Sequence, residues 1–241
     1  MIDFTHRSYL ELLKDMKDSG RKIVSFRDIQ NAGDAFVILR HDVDFSLQKA
    51  LDMARLDNEA GATSTFFILL TAPYYNPLTE EGIKTIQEIV SLGHECGLHY
   101  DCTGFELLTE EQRQRRVKAL AELLGDAAGI TIRSIAQHKP AKSSIRQQFP
   151  SFTDAYDDQY FIKDMPYISD SRRIFQHNDV PGFIKQSNKC QLLTHPVWWT
   201  RERMSRAEVF RELNADISDA ININLVMEEK SIEDQLAQRK K

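Results

Sequence analysis

The sequence predicts an α/β fold in which parallel strands alternate with helices and close into a barrel-like sheet. Three observations carry this. Amphipathic helical repeats recur along the chain, each with a capping residue or a terminating glycine. Between them lie apolar runs of strand length, rich in β-branched and aromatic residues. Several of these runs end abruptly in charged or imidazole side chains, as strands do where a parallel sheet gathers its ligands. The chain has 241 residues, enough for about seven strand–helix units in one domain.

The elements follow in order. Tyr9, Leu12, Leu13 and Met16 repeat at helical spacing and Gly20 follows, so a helix spans 5–19. An apolar strand over 36–39 runs into Arg40, His41, Asp42, Val43 and Asp44. Leu47, Ala50, Leu51 and Ala54 form a helical face that ends before Gly61, and a strand over 65–70 follows. Thr79 caps a helix with Ile83, Ile86 and Val90 inward, stopped at Gly93 ahead of a strand over 96–99. Thr109 and Gln112 make a capping box for a helix carrying Val117, Leu120, Ala121 and Leu124 up to Gly125. Strands over 130–135 and 191–194 come next. Ser205 and Glu208 form a second capping box, with Val209, Phe210 and Leu213 on one face. Residues 230–241 are highly charged and read as a solvated helix end or frayed tail. No Pro/Gly/Ser-rich linker divides the chain. We read 1–241 as a single domain, with a core over 36–200 and the helices at 5–19 and 205–241 packed around it.

Composition excludes several function classes. Lys and Arg number 31 against 36 Asp and Glu, a net charge of -5, which lacks the positive field a nucleic-acid binder needs. The longest purely aliphatic and aromatic run is 66–70, far below the ~20 residues of a membrane span. The N-terminus carries Asp3 and no apolar stretch of signal-peptide length, so the chain reads as cytoplasmic. Cys96, Cys102 and Cys190 lack metal-site spacing and read as free thiols in that compartment.

The strand ends carry the chemistry. Arg40, Asp42 and Asp44 alternate and share one face of a regular strand. Two carboxylates so close repel unless a cation lies between them or one is protonated. They read as a metal ligand beside a general base, against the simpler role of Asp44 as a helix cap. His94 and His99 sit at opposite ends of one strand at odd spacing, so they face opposite sides and cannot share an ion. His99 is the ligand candidate and His94 is structural. His138 closes a third strand and is a further candidate ligand. His195 closes a fourth and suits proton transfer to a leaving group. Trp198 and Trp199 offer a stacking face for a sugar, or core packing. Asp170 orients a neighbouring His or Lys, or caps a turn.

The ordered set RHDVD (40–44), GHECGLHYD (93–101), HKP (138–140), SDSR (169–172) and LLTHP (192–196) resembles the polysaccharide deacetylase superfamily, the NodB-homology or family-four carbohydrate esterases. It looks closest to the intracellular HDVD branch, which includes WbmS-like proteins of O-antigen gene clusters. The resemblance covers about two-thirds of the chain. It implies a distorted (β/α) barrel of about seven parallel strands, a divalent metal and hydrolysis of an N-acyl amide on a sugar. The metal implied is zinc, with manganese, cobalt or nickel as alternatives. The family's base and metal-binding Asp map onto Asp42 and Asp44, with Val43 intervening where the family has an adjacent pair, and which Asp plays which role stays open. The second motif begins at His99, but its second His position holds Thr103. We expect His138 to supply that ligand and Lys139 to replace the family's Arg. Asp170 matches the motif that tunes the base, and His195 matches the general acid. Arg40, His41, Lys139, Trp198 and Trp199 are expected to contact substrate. The function implied is a metal-dependent hydrolase removing an acetyl or related group from a nucleotide-linked sugar or another glycan precursor in surface polysaccharide biosynthesis. Two rivals remain. An inactive sugar-binding homologue would bind glycan without turnover. A glycosyltransferase using Asp42–Val43–Asp44 as a D-x-D would release nucleoside diphosphate.

Overall fold

The structure is a computed structural model that describes residues 2–140, 147–161, 165–177 and 179–238. The chain forms two compact units, Met1–Arg203 and Met204–Lys241. The first holds a wholly parallel sheet of eight strands: β1 (Lys22–Val24), β2 (Phe36–Val43), β3 (Thr65–Leu69), β4 (Glu95–Tyr100), β5 (Ser134–Gln137), β6 (Thr153–Asp154), β7 (Tyr167–Ser169) and β8 (Lys189–Thr194). Its path runs β6-β5-β4-β3-β2-β8-β7, and β1 pairs with the start of β2. Helices α1 (His6–Asp18), α2 (Leu47–Glu59), α3 (Glu80–Ser91), α4 (Glu110–Ala128) and α5 (Val180–Lys185) complete the unit. Parallel neighbours demand crossover connections, and α2, α3 and α4 supply them between β2, β3, β4 and β5. β2 pairs with β1, β3 and β8, and all eight of its residues are buried.

The sheet curls into a distorted (β/α) barrel. Val24, Phe26, Phe36, Ile38, Phe67, Ala136, Ala155 and Met165 pack as one interior cluster drawn from both halves of the path. The edges are bridged by rings: Phe161 lies 4.9 Å from Tyr156, just past β6, and 4.7 Å from Tyr167 on β7. Gly97 on β4 makes room for this interior, because a Cβ there would lie 2.6 Å from both the Phe67 ring and Ser134 Oγ.

On β2 the other side of the alternation faces a buried polar network. His41 Nδ1 lies 2.7 Å from Thr194 Oγ1 on β8, and its Nε2 lies 2.9 Å from Asp57 on α2. Asp57 also accepts from Tyr9 of α1 at 2.6 Å and Ser64 at 2.7 Å. Ser64 Oγ lies 3.1 Å from His94 Nδ1, and His94 Nε2 donates to the Ala54 carbonyl at 2.8 Å. The network ties two helices to β2 and β8, two of the strands whose ends carry the site, and it gives His94 a structural role.

The elements depart from expectation in small ways. The strand placed at 130–135 is β5, starting at Ser134, because its register is set where Ile135 pairs with Leu98. α4 does not stop at Gly125. It continues to Ala128 and ends at Gly129, whose φ of +68° suits a glycine. Gly125 instead allows close approach, since a Cβ there would lie 2.8 Å from the Ile130 carbonyl oxygen.

The second unit is one helix, α6 (Arg206–Gln238). Its predicted capping box is present: Glu208 N–H donates to Ser205 Oγ at 3.3 Å, and Ser205 N–H donates to the Glu208 carboxylate at 2.6 Å. Residues 239–241 of the expected tail lie outside the described residues. Among those described, no helix is long and apolar enough to cross a membrane.

Candidate functional site

Strand ends converge at one mouth of the barrel. Asp42 comes from the end of β2 and Asp44 from just past it, His99 from β4, His138 from just past β5 and His195 from just past β8. Inward alternation along β2 puts Arg40 one step deeper than Asp42. Arg40 is fully buried and grips Asp42 with two bonds, Nε at 2.7 Å and an Nη at 2.9 Å. The same guanidinium donates to Tyr156 Oη at 2.9 Å and Gln191 Oε1 at 3.3 Å, and lies over the Phe67 and Tyr156 rings at 5.1 and 4.5 Å. Burial pushes the Asp42 carboxyl up, but the Arg40 guanidinium, with His99, holds it below its ordinary value. Asp42 is therefore an ionised carboxylate at neutral pH.

Asp44, His99 and His138 each offer a ligand atom within 4.8 Å of the other two. Asp44 Oδ1 lies 3.4 Å from His99 Nε2 and 3.3 Å from His138 Nδ1, and the two nitrogens are 3.2 Å apart. Ligands placed tetrahedrally at ~2.0–2.1 Å from an ion lie ~3.3–3.4 Å from each other, so this triangle matches one face of such a site. Asp44 Oδ1 is buried and makes no hydrogen bond. His99 Nδ1 lies 2.8 Å from the Ala136 carbonyl oxygen, which only accepts. Nδ1 therefore carries the proton in the neutral ring, and Nε2 turns a lone pair toward Asp44. An orphaned carboxylate oxygen facing an imidazole lone pair is an arrangement that a cation satisfies. Burial opposes ionisation of Asp44; donation from protonated His138 and His99 rings would hold its carboxyl well below the usual range, and a cation between them would favour the carboxylate in the same sense.

His195 completes the rim. Its Nδ1 lies 2.6 Å from Asp170 Oδ1, and its own backbone N–H also donates to Asp170. Trp199 donates its indole N–H to the other oxygen at 2.9 Å. Burial alone would lower the imidazole's pKa, but Asp170 raises it to about 9. His195 Nε2 points toward the cluster, 3.9 Å from Asp44 Oδ2. The arrangement places a carboxylate held ionised and an imidazole held protonated beside three candidate metal ligands.

Several expected roles move. Arg40 and His41 are fully buried and bonded within the protein, so neither reaches substrate. It is Arg40 that holds Asp42; Lys139 was expected to replace the family's Arg and to contact substrate. Lys139 is exposed, with a left-handed φ of +48°. Asp170 acts on His195 rather than on the base. Trp199 is 1% exposed and packs edge-on against Tyr9 at 4.9 Å, so its ring is core. Trp198 is also buried, but Phe45, next to Asp44, lies 6.0 Å from it and stacks on the exposed Tyr74 at 5.0 Å. Tyr75 steadies that loop, donating to the Val43 carbonyl at 2.6 Å and accepting from Leu69 N–H at 3.1 Å. Tyr74, Phe45 and Tyr156 carried no motif. The signal for Gln191 was a polar side chain opening an otherwise apolar strand.

Neither a protein-family model nor a curated protein matches the chain. Solved structures do. One is a CE4-family pseudoenzyme from Bacillus anthracis, at 14% identity and TM-score 0.45 over 78% of this chain and 62% of that one. A second is the chitin deacetylase from Colletotrichum lindemuthianum, at 15% and 0.45 over 75% and 81%. A third is a family 4 carbohydrate esterase from Streptomyces lividans, at 16% and 0.42 over 67% and 79%. The chain thus spans less than two-thirds of the Bacillus anthracis protein.

Proposed function

We propose that this protein is a metal-dependent amidohydrolase that removes an acetyl or related acyl group from the nitrogen of a sugar in a glycan precursor. The observation that carries this reading is the triangle of Asp44 Oδ1, His99 Nε2 and His138 Nδ1, set between an Arg-clamped carboxylate and an Asp-bound imidazole. Asp44, His99 and His138 would hold the ion, and zinc suits their N/O donor set. A divalent cation there supplies Lewis acidity toward the acyl carbonyl and acidifies water. Asp42 accepts the proton of the attacking water. Arg40 keeps that carboxylate ionised and fixed, while each of its oxygens retains a second lone pair. His195, protonated and aimed by Asp170, delivers a proton to the departing amine, without which that nitrogen is a poor leaving group. Phe45 and Tyr74 would shape the approach for the sugar ring. We place the reaction in surface polysaccharide biosynthesis within the cell, on the motif resemblance described above.

The test is metal content by elemental analysis of protein purified without chelator or affinity metal, with Asp44→Ala, His99→Ala and His138→Ala alongside. Near one ion per chain in wild type, lost in all three variants, is the expected result. Retention in His138→Ala sinks that ligand assignment. Metal-loaded wild type should release acetate or formate from N-acylated sugars, and Asp42→Asn should not. Glycan binding with no turnover in either form would favour the non-catalytic homologue.

A further inference from the structure

We propose that Tyr75 is a positioning residue for Asp44, and that two consecutive tyrosines of one loop clamp the chain on either side of that carboxylate. The inference rests on the reading of Asp44 as a metal ligand. In a parallel sheet, successive residues of a strand turn their backbone groups to alternate neighbours. The Ser64 carbonyl accepts from Glu95 N–H at the start of β4, at 2.9 Å, so the backbone groups of Thr65, Phe67 and Leu69 face β2. Phe36 N–H donates to the Asn188 carbonyl on the β8 side, at 2.9 Å, so those of His41 and Val43 face β3. The last rung between β2 and β3 therefore falls between Leu69 N–H and the Val43 carbonyl. Tyr75 Oη stands in that rung, accepting from Leu69 N–H at 3.1 Å and donating to the Val43 carbonyl at 2.6 Å. An inserted hydroxyl makes the rung wider than a direct bond of ~2.9 Å. Pairing of β2 with β3 ends at Val43 and Ile68, whereas β3 and β4 stay paired one step further, Leu69 with His99. Asp44, which the register would set beside Leu69, lies in a bend instead. Its carboxylate reaches past Leu69 to His99 and His138.

The loop that supplies the hydroxyl is stiff and firmly seated. Residues 70–79 contain no charged side chain and two prolines, Pro73 and Pro77, which narrow the backbone's freedom. Tyr74 stacks its ring on Phe45 at 5.0 Å and 20°. Tyr75 thus grips the residue before Asp44, and Tyr74 the residue after it. The loop rests on α3 at Gly82, where a Cβ would lie 2.7 Å from the Asn76 carbonyl oxygen and 2.8 Å from that of Pro77. Any side chain at 82 would push on this backbone and lift the tyrosines away from β2.

Zinc dissociation constants, from competition with a chromophoric chelator, test this on wild type, Tyr75→Phe, Gly82→Ala and Asp44→Ala. Urea unfolding of each metal-free protein runs alongside. Tyr75→Phe should bind zinc about tenfold more weakly than wild type. Gly82→Ala, which keeps the hydroxyl but lifts its loop, should weaken binding by a similar factor. A hydroxyl that serves stability alone would lower the unfolding midpoint of the metal-free Tyr75→Phe protein and leave its zinc constant within about twofold of wild type. That result overturns the clamp and leaves the metal site standing. Wild-type zinc affinity in Asp44→Ala, or no zinc binding by wild type, overturns the ligand reading and the clamp with it.

Discussion

At the scale of single residues, the arrangement turns on Arg40. A guanidinium with no exposed surface is tolerable because a carboxylate, an amide and a phenol oxygen accept from it and two rings lie against its faces. Removing one partner of a buried ion pair leaves the other uncompensated. Arg40→Ala should therefore cost about 3–5 kcal/mol in urea unfolding, and adding Asp42→Asn should recover part of that loss. A cost below about 1 kcal/mol would mean the pair is solvated. Asp154, on β6, behaves oppositely. Burial raises its carboxyl to about 6, although the Tyr156 N–H and Arg40 pull it down. Because its folded pKa exceeds the unfolded one, its contribution is fully present below the unfolded pKa and lost as pH rises through about 6. Asp154→Asn should thus stabilise the protein at pH ~8 by about 1–3 kcal/mol, with no gain at pH ~4. The site residues were legible where a charged or imidazole side chain broke an apolar run, as at Asp42, Asp44, His99, His138 and His195. Direction was not legible: nothing in the sequence distinguishes Arg40, turned into the barrel, from a residue open to substrate.

At the scale of elements, helices were easier to read than strands. Thr79 and Thr109 accept from the backbone N–H groups of Gly82 and Gln112, as their sequence positions implied. Helix signals extend over ten or more residues, whereas β1, β6 and β7 have two or three each, too few for a period. Pairing with neighbours distant in sequence makes them strands. The glycines show the same limit. Gly125 reads as a stop, yet it lies inside α4 because the chain beyond folds back against it. Gly97→Ala would press a methyl against Phe67 and Ser134, and should cost about 1–3 kcal/mol in chemical denaturation. No loss would show that the interior relaxes around Phe67.

At the scale of the whole molecule, the parallel barrel was legible from the alternation of elements, but its closure was not. Tyr156 and Phe161, outside the strands, and Tyr167, at the start of the three-residue β7, bridge the two edges and show no pattern in sequence. The proposed ligands are spread over β2, β4 and β5, so an ion would bind the folded chain and not the unfolded one. Adding zinc at about 100 times its dissociation constant should raise stability by about 2.7 kcal/mol, seen as a higher melting temperature. His138→Ala should abolish the increment, and a zinc-independent transition in wild type would contradict the site. The buried network around Asp57 belongs to this scale too, because it links α1 and α2 to β2 and β8 at once.

The Ala136 carbonyl settles more than the orientation of one ring. By holding a proton on Nδ1, it reserves Nε2 as the nitrogen that faces Asp44. An ion would meet that nitrogen with no flip of the ring and no change of tautomer. Heteronuclear NMR of the His99 ring should therefore show Nδ1 protonated both before and after zinc is added, and loss of that proton would contradict the arrangement. The ring is set for the ion by a backbone oxygen that never touches it.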